Sequence, residues 1–276
     1  MLAIFKREFK SYFQNVIGWL FVAALLAVYG LYFYVYNLKN GYPYISYDLN
    51  GIGFIMMIAV PILTMRSLSD EKKTKTDQLM LTSPVSVGRI VAGKYFAMAA
   101  VYTIVIALFA LSPLVLSIYG KVALSEAYVA LFGYWLYGLS CIAVGLFISS
   151  ISESVIISAI LTFAALFLSY MMQSITGLIS SSGNLLTKVL NCFDLYTPFE
   201  NFVSGCFSVT SAAYHSDFYP AFMLPYDAVY PEEKMGIFKE DDRHRGIFSR
   251  NDCRNVCNLC GCKSCGDSAS CQVHIN

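Results

Sequence analysis

The segment YFAMAAVYTIVIALFALS, residues 95–112, contains no charged residue, and the uncharged run continues to Gly120. An α-helix needs about 20 consecutive apolar residues to cross the hydrocarbon core of a bilayer. Runs of comparable length recur at Ser11–Leu38, Leu49–Met65, Ala127–Ser152 and Ser154–Thr187. A soluble core can bury one such run, but five in a chain of 276 residues favour membrane-spanning helices over buried core helices.

The composition agrees with a lipid environment. Hydrophobic residues make up 57% of the chain and charged residues 13%, whereas an ordinary soluble domain contains about 25% charged residues. The formal net charge is +1, which gives no indication of a nucleic-acid partner. The sequence therefore predicts an all-α membrane protein, a bundle of five to six transmembrane helices that occupies residues 17–208 and contacts membrane lipid.

Residues 1–16 differ from the spans that follow them. Large apolar side chains recur there at helical spacing, with charged side chains between them. The apolar positions are Leu2, Phe5, Phe9, Tyr12, Phe13 and Val16, and the charged positions are Lys6, Arg7, Glu8 and Lys10. This pattern predicts an amphipathic helix that lies in the membrane interface. A simple cytoplasmic extension of the first span is the alternative.

Basic residues are distributed unevenly over the connections between the runs. The amino end carries Lys6, Arg7 and Lys10, and the segment 66–94 carries Arg66, Lys72, Lys73, Lys75, Arg89 and Lys94. The alternate connections carry one basic residue each, Lys39, Lys121 and Lys188. Because connections rich in Lys and Arg stay on the cytoplasmic side, we expect a cytoplasmic amino end, a cytoplasmic segment 66–94 and a multi-pass location in the plasma membrane.

The segment GRIVAGKY, residues 88–95, differs at one position from a nucleotide-binding P-loop. Its two glycines and Lys94 fit the pattern G-x-x-x-x-G-K-[ST], but Tyr95 replaces the small hydroxyl residue that holds Mg²⁺. A working P-loop also follows a buried strand, whereas Pro84 precedes this segment and a long apolar run follows it. We predict a helix at this position and no ATP hydrolysis by this chain.

The connection SLSDEKKTKTDQLMLTSPVSV, residues 67–87, changes character along its length. It is charged at first, apolar at residues 79–81, and then contains the pair Ser83-Pro84. Because proline can open a helix and a preceding serine can cap it, we predict two short helices joined at a rigid corner. A solvated loop is the alternative, but such a loop has no need of the apolar cluster, which favours docking against another protein.

At these residues the sequence resembles a known family. The pattern R-S-x-S-x-E…L-x-L-T-S-P-V-S…I-V-x-G-K-Y, within residues 66–95, is similar to the permease subunit of ABC-2-type transporters, nearest the gliding-motility and nitrous-oxide-operon branch. The opening FKREFKSYFQNVIGWLF, residues 5–21, resembles the interfacial helix and first span of that branch. The resemblance covers residues 1–214. It implies six spans, both ends in the cytoplasm, and a dimer with a second permease copy or a homologous permease.

The resemblance also implies how the transporter is driven. Members of the family work with two separate ATPase subunits, which bind ATP and Mg²⁺, so no cofactor is expected in this chain. The connection after the second span carries a coupling helix that sits in a groove of the ATPase. Carried over to this sequence, the ATPase contact falls on Arg66, Asp70, Glu71, Thr82, Ser83 and Pro84. The implied function is the permease subunit of an ATP-driven exporter.

Three other classes of function fit an apolar helical bundle. An ion-coupled secondary carrier usually needs ionisable side chains inside its spans, and the five uncharged runs contain no Asp, Glu, Lys, Arg or His. A membrane-embedded enzyme needs several reactive side chains together, and Cys141 is the only candidate in the first four runs. Both are disfavoured, and a non-transporting membrane scaffold stays open as the alternative.

Residues 209–276 depart from the family pattern. The apolar stretch 202–214 begins like a sixth span and then gives way to a charged, cysteine-rich tail. The pairs Cys257/Cys260 and Cys262/Cys265 have the C-x-x-C spacing of a zinc ribbon. Only one residue separates the pairs, which leaves no room for the loop between two zinc knuckles. We therefore expect no metal site in the tail.

A shift of reading frame accounts for the tail better. Read one base later, PEEKMG (residues 231–236) gives three successive Lys or Arg codons and then Trp, like the basic carboxyl end of the family. The same shift turns NDCRNVCNLCGCK (residues 251–263) into a membrane-like run. We interpret the tail after about residue 214 as a frameshift product without selected function, and a native tail is the alternative.

Overall fold

The computed structural model describes residues 2–74, 87–120, 122–152, 154–179 and 194–217, which all lie in one compact unit, Met1–Ala228. These residues form helices and connecting turns, with no strand among them. Five helical segments are long and apolar enough to span a membrane: Val16–Lys39, Ser46–Lys72, Gly88–Tyr119, Leu124–Ile151 and Val155–Met172. The prediction of an all-α bundle of membrane-spanning helices is confirmed.

The helices follow one another through short connections. In chain order they are α1 (Leu2–Gln14), α2 (Val16–Phe33), a π-helix π1 (Tyr34–Lys39), α3 (Ser46–Thr64), α4 (Ser69–Thr74), α5 (Val87–Phe109), α6 (Ser112–Tyr119), α7 (Leu124–Ile151), α8 (Val155–Ile179), α9 (Tyr196–Val203) and α10 (209–217). Several charged residues at the edges of the uncharged runs therefore lie inside helices and not in loops.

Helix α7 lies at the centre of the bundle and contacts α3, α5, α8 and α9. The most apolar part of this span is 72% buried, against 28% for the spans that contain α2 and α8. Because lipid gives no hydrophobic drive for helix association, close contacts at small residues hold such bundles together. A Cβ atom at Gly138 would lie 2.3 Å from Cζ of Tyr102, so glycine allows α5 and α7 to approach closely here.

Helix α1 is separate from the first span. The backbone leaves the helix at Asn15, with φ −92° and ψ 150°, before α2 begins. The rings of Phe5, Phe9 and Phe13 pack in sequence along α1. Helix α1 packs against α5 and α2, which brings its charged residues close to the start of α5. The location of α1 in the membrane interface stays a prediction.

The P-loop-like segment is helical, as the sequence predicted. Helix α5 begins at Val87 and continues through Tyr95, so the backbone amides of this segment are part of a helix instead of a phosphate-binding loop. Tyr95 is buried, and its hydroxyl donates a hydrogen bond of 3.3 Å to the carbonyl oxygen of Leu139 in α7. The last residues of the predicted cytoplasmic segment 66–94 thus belong to a span.

The stretch 202–214 is not one continuous helix. Helix α9 ends at Val203, Gly205 has a φ of +76°, and α10 begins only at residue 209. A positive φ is readily adopted by glycine alone, so Gly205 fixes the break. The paired cysteines Cys257, Cys260, Cys262 and Cys265 lie outside the described residues, as does the rest of the tail after residue 217.

Candidate functional site

The residues assigned to the ATPase contact fall into two groups. The structure describes Arg66, Asp70 and Glu71, whereas Thr82, Ser83 and Pro84 lie outside the described residues. Arg66 is exposed in the turn between α3 and α4. The two carboxylates are half-buried in the first turn of α4. All three described residues therefore follow directly on the end of the second span.

A buried lysine lies at the centre of this site. Lys94, in the second turn of α5, is 2% exposed. Its Nζ donates hydrogen bonds to Oε1 of Glu71 at 2.6 Å and to the carbonyl oxygen of Ser67 at 2.9 Å. The same Nζ lies 3.6 Å from Oε1 of Glu8 in α1. We call these four residues the Lys94 cluster, and it joins α1, α4, α5 and the turn after α3.

The turn between α3 and α4 is also fixed to the central helix. Oγ of Ser149, in α7, accepts hydrogen bonds from the backbone N–H groups of Leu68 and Ser69 at 3.3 and 3.2 Å. The hydroxyl of Ser69 donates a bond of 3.1 Å to the carbonyl oxygen of Ser149. Helix α4 is thus connected to α5 by an ion pair and to α7 by hydrogen bonds.

Burial makes the charge balance of the Lys94 cluster important. Removing one partner of a buried ion pair typically costs about 3–5 kcal/mol, because the other charge stays buried without compensation. Here the Glu71 and Glu8 side chains are 20% and 15% exposed, so water weakens the pairs to some extent. Nη2 of Arg7 lies 2.7 Å from Oε1 of Glu8. Glu8 therefore lies close to two cations, Arg7 and Lys94.

A cavity of about 380 Å³ opens beside the Lys94 cluster. Arg66, Asp70 and Glu71 line it together with residues of α1, so the structure brings the three described contact residues to one place. Burial, and then the negative charge of Glu8, raise the pKa of Tyr12 above its ordinary value. The Tyr12 hydroxyl therefore keeps its proton at neutral pH.

Lys94 and Glu8 were not predicted as site residues. The sequence interpretation treated Lys94 only as a P-loop coincidence and as one of the positive charges of segment 66–94. A usable signal is present, because Lys94 directly precedes a long apolar run, and charges inside spans are usually functional. Glu8 offered no such signal, since acidic side chains are common on the polar face of an amphipathic helix.

The spans also contain more charge than the uncharged runs indicated. Asp48 lies in the first turn of α3 and is fully buried, and Lys94 lies in α5. Each uncharged run stops at a charged residue by definition. Helices α3 and α5 begin before the corresponding runs and therefore include these charged residues. The five uncharged runs contain no Asp or Lys, as stated, but Asp48 and Lys94 directly precede two of them and lie inside helices α3 and α5.

Comparison with known proteins identifies the family. A family described as ABC-2 family transporter protein matches residues 9–214, which include α2 to α9 and the five spans. No curated protein matches the chain. The matched range covers most of the sequence and most of the candidate site. The chain therefore belongs to the ABC-2 family of transporter proteins, whose members are the membrane components of ABC transporters.

Proposed function

We propose that this chain is the permease subunit of an ATP-driven exporter, and that its segment 66–94 receives the movement of a separate ATPase subunit. The Lys94 cluster carries this proposal, because it connects the residues after α3 to α1 and α5 through a buried ion pair. Membership of the ABC-2 family supports the permease role. We assign the chain to the gliding-motility and nitrous-oxide-operon branch on the residue pattern within 66–95.

Coupling in this mechanism is mechanical. ATP and Mg²⁺ bind to the partner ATPase, where hydrolysis takes place, and this chain contributes no catalytic group. When the ATPase subunits close on nucleotide, they displace α4 and the residues that follow it. The contact between Glu71 and Lys94 transmits this displacement to α5, and the hydrogen bonds of Ser149 transmit it to α7. The spans then rearrange and open a path for the substrate.

Two charged residues are suited to contact the ATPase directly. Arg66 is exposed beside the cavity, and Asp70 lies on its wall. We place the remaining contact at the corner formed by Thr82, Ser83 and Pro84, because an apolar cluster precedes it in the sequence. In this arrangement the ATPase holds the segment at both ends, and the Lys94 cluster lies immediately behind it.

The membrane arrangement in this proposal follows from the charge distribution. The amino end and segment 66–94 face the cytoplasm, and α1 lies in the inner interface of the plasma membrane. The spans that contain α2 and α8 are the least buried of the five. On α8, the large side chains of Ile156, Ile157 and Ile160 are exposed. These apolar faces are available to lipid and to a second permease copy in a dimer.

We further propose that the tail after about residue 214 is out of frame. The family match ends at residue 214. His215, the next residue, is 3% exposed, and its Nε2 has no hydrogen-bond partner. A buried polar atom without a partner is costly, above all in a bundle surrounded by lipid. Because Nδ1 of His215 lies 3.0 Å from Oγ of Ser140, the main support for a changed reading frame is the end of the family match and the change of composition after residue 214.

A reconstituted complex tests the coupling. The chain is co-expressed with ABC-type ATP-binding subunits from the same genome, and a fluorescent label is attached through Leu111→Cys, an exposed position just after α5. We expect ATP to change the fluorescence of the complex. Glu71→Gln should suppress this change while ATP hydrolysis continues, because the contact with Lys94 is weakened. Lys6→Gln, on α1, is the control and should keep the signal.

Two results would contradict this function. A chain purified alone that hydrolyses ATP, with activity lost on Lys94→Ala, means that the helical segment 88–95 binds nucleotide after all. A chain that assembles with no ATP-binding subunit is a membrane scaffold instead of a permease.

A further inference from the structure

A buried carboxyl group lies at the end of α3 that is remote from the Lys94 cluster. Asp48 is in the first turn of α3 and has 0% exposure. Its neighbour Asn37, in π1, is 4% exposed. Nδ2 of Asn37 donates a hydrogen bond to Oδ2 of Asp48. We call these two residues the Asp48 pair, which links the end of the first span to the beginning of the second.

Half of the polar atoms in the Asp48 pair have no partner. Oδ1 of Asp48 and Oδ1 of Asn37 are both buried and neither takes part in a hydrogen bond. An ionised carboxylate and an amide oxygen are both acceptors only, so neither can satisfy the other. Burial of an ionised carboxylate also costs far more than burial of the neutral acid. The ionised form therefore has both an uncompensated charge and two unsatisfied acceptors.

No cation compensates Asp48 within the described part of the chain. The elements packed against α3 are α2, α7, α8 and α9. From α2, Tyr29 interacts electrostatically with Asp48, and its hydroxyl is hydrogen-bonded to Ser112. From α9, the Tyr196 hydroxyl donates to Asn50. Lys39, two residues beyond Asn37, is exposed and forms no ion pair with Asp48 among the described residues.

The charged groups on the other packed helices are acidic and supply no cation. Glu126 lies near the start of α7 and is exposed, Glu200 lies in α9, and the buried Asp194 accepts hydrogen bonds from the first residues of α9. Tyr137 of α7 and Tyr170 of α8 face the ring of Tyr196. None of these groups is a cation, and burial without a cation favours the uncharged form of a carboxyl group.

We infer that Asp48 is a proton-binding site of the folded protein. The proton comes from the aqueous phase and binds to Oδ1, which removes the negative charge and converts Oδ1 from an acceptor into a donor. The unpartnered Oδ1 of Asn37 is the acceptor available within the same pair. One proton therefore resolves the charge and both unsatisfied oxygens, and no other co-reactant is needed.

The position of Asn37 gives this site a structural consequence. Single-turn π-helices are rare and often occur at functional sites, and π1 continues α2 to Lys39. When Asp48 loses its proton, two acceptors and a charge remain buried between π1 and α3. Release of the proton thus weakens the contact between the first two spans. This inference is independent of the proposed coupling to an ATPase, because it concerns the other end of α3.

Infrared spectroscopy of the full chain in lipid nanodiscs tests the inference. At about pH 7 an exposed aspartate, with a pKa of about 3.9, is ionised, so a carbonyl stretch of a protonated carboxyl reports an unusual group. We expect the wild-type chain to show this band and Asp48→Asn to lose it. Glu126→Gln, at an exposed position, should keep it. Asn37→Leu should shift the band, because the acid loses its hydrogen-bonding partner.

If Asp48→Asn does not fold, isotopic labelling of the wild-type chain provides the test instead. Isotopic labelling of aspartate carboxyl carbons in the wild-type chain should shift the band, whereas labelling of glutamate should not. Absence of a protonated-carboxyl band at about pH 7 overturns the inference, and so does a band that persists in folded Asp48→Asn. The first result means that Asp48 is ionised in the folded protein, and the second means that the band comes from another carboxyl group.

Discussion

Nζ of Lys94 and Oε1 of Glu71 lie 2.6 Å apart and connect α5 to α4 across 23 positions of the sequence. The carbonyl oxygen of Ser67 accepts a further hydrogen bond from the same ammonium group, and Glu8 brings α1 into the arrangement. This geometry accounts for a buried lysine in a helix that carries no charge from Tyr95 to Phe109. The cation stays buried because two other helices supply carboxylates to it.

A double-mutant cycle measures this connection. We expect Lys94→Met to lower the free energy of unfolding by about 1–3 kcal/mol, less than for a fully buried pair because both carboxylates retain some exposure. Glu71→Gln should also destabilise the chain, by leaving the ammonium group with weaker partners. The double variant should lose less than the sum of the single losses, with a coupling energy of about 1 kcal/mol or more. Denaturant titration in mixed micelles gives all four values.

The matched control for this cycle uses an exposed cation of α1. Lys10→Gln combined with Glu71→Gln should give additive losses, because Lys10 is exposed and forms no ion pair with Glu71 among the described contacts. Equal coupling energies for Lys10 and Lys94 would mean that the measured effect reflects overall charge instead of the buried contact.

Close packing at Gly138 leads to a second prediction. A Cβ there would lie 2.3 Å from Cζ of Tyr102, whose hydroxyl is held by a 2.7 Å hydrogen bond to the carbonyl oxygen of Tyr134. We therefore expect Gly138→Ala to destabilise the chain by about 1–3 kcal/mol through overpacking. Gly30→Ala is the matched control, because nothing lies within 4 Å of a Cβ at that helical position. Thermal melting in detergent compares the two, and equal melting temperatures would contradict the close contact.

The spans could be predicted from the sequence because of a strict physical requirement. In lipid, every backbone polar group must be satisfied within the chain, so long apolar runs have to be helical. The run from Tyr95 to Gly120 corresponds to α5 and α6, and the structure differs in that α5 already starts at Val87 and ends at Phe109. Helix starts are harder to predict, since one charged residue such as Lys94 ends a run in the sequence but not in the structure.

The site was less predictable because its residues meet only through tertiary packing. Glu71 was identified through the resemblance to a family, whereas its contact with Lys94 depends on how α4 lies against α5. The involvement of Glu8 depends in turn on α1 packing against α5. Nor did the apolar pattern of 202–214 reveal the break at Gly205, because glycines such as Gly138 also occur inside continuous helices.

Cysteine labelling in intact cells tests the orientation. In a background without the native cysteines, Tyr42→Cys and Thr74→Cys place one thiol in each of two connections on opposite sides of the second span. We expect an impermeant maleimide to label position 42 and not position 74. Segment 66–94 carries six basic residues, whereas the connection that contains Tyr42 carries one, Lys39. Permeabilised cells, in which both should react, serve as the control. The reverse pattern would place the amino end outside.

Removal of the carboxyl-terminal residues tests the interpretation of the tail. The described helices all belong to the unit Met1–Ala228, and residues 229–276 form a second unit. If the second unit is a frameshift product without selected function, a chain that ends at Ala228 should keep the melting temperature of the full chain and the same yield in detergent.

Resequencing of the gene should reveal the altered frame near residue 214. A control truncation that ends at Ser208 removes α10 and should lower the melting temperature, since Ser211 of that helix is buried. A confirmed frame, together with one zinc ion bound per full-length chain and released on Cys260→Ser, would falsify this interpretation and make the tail a metal-binding module.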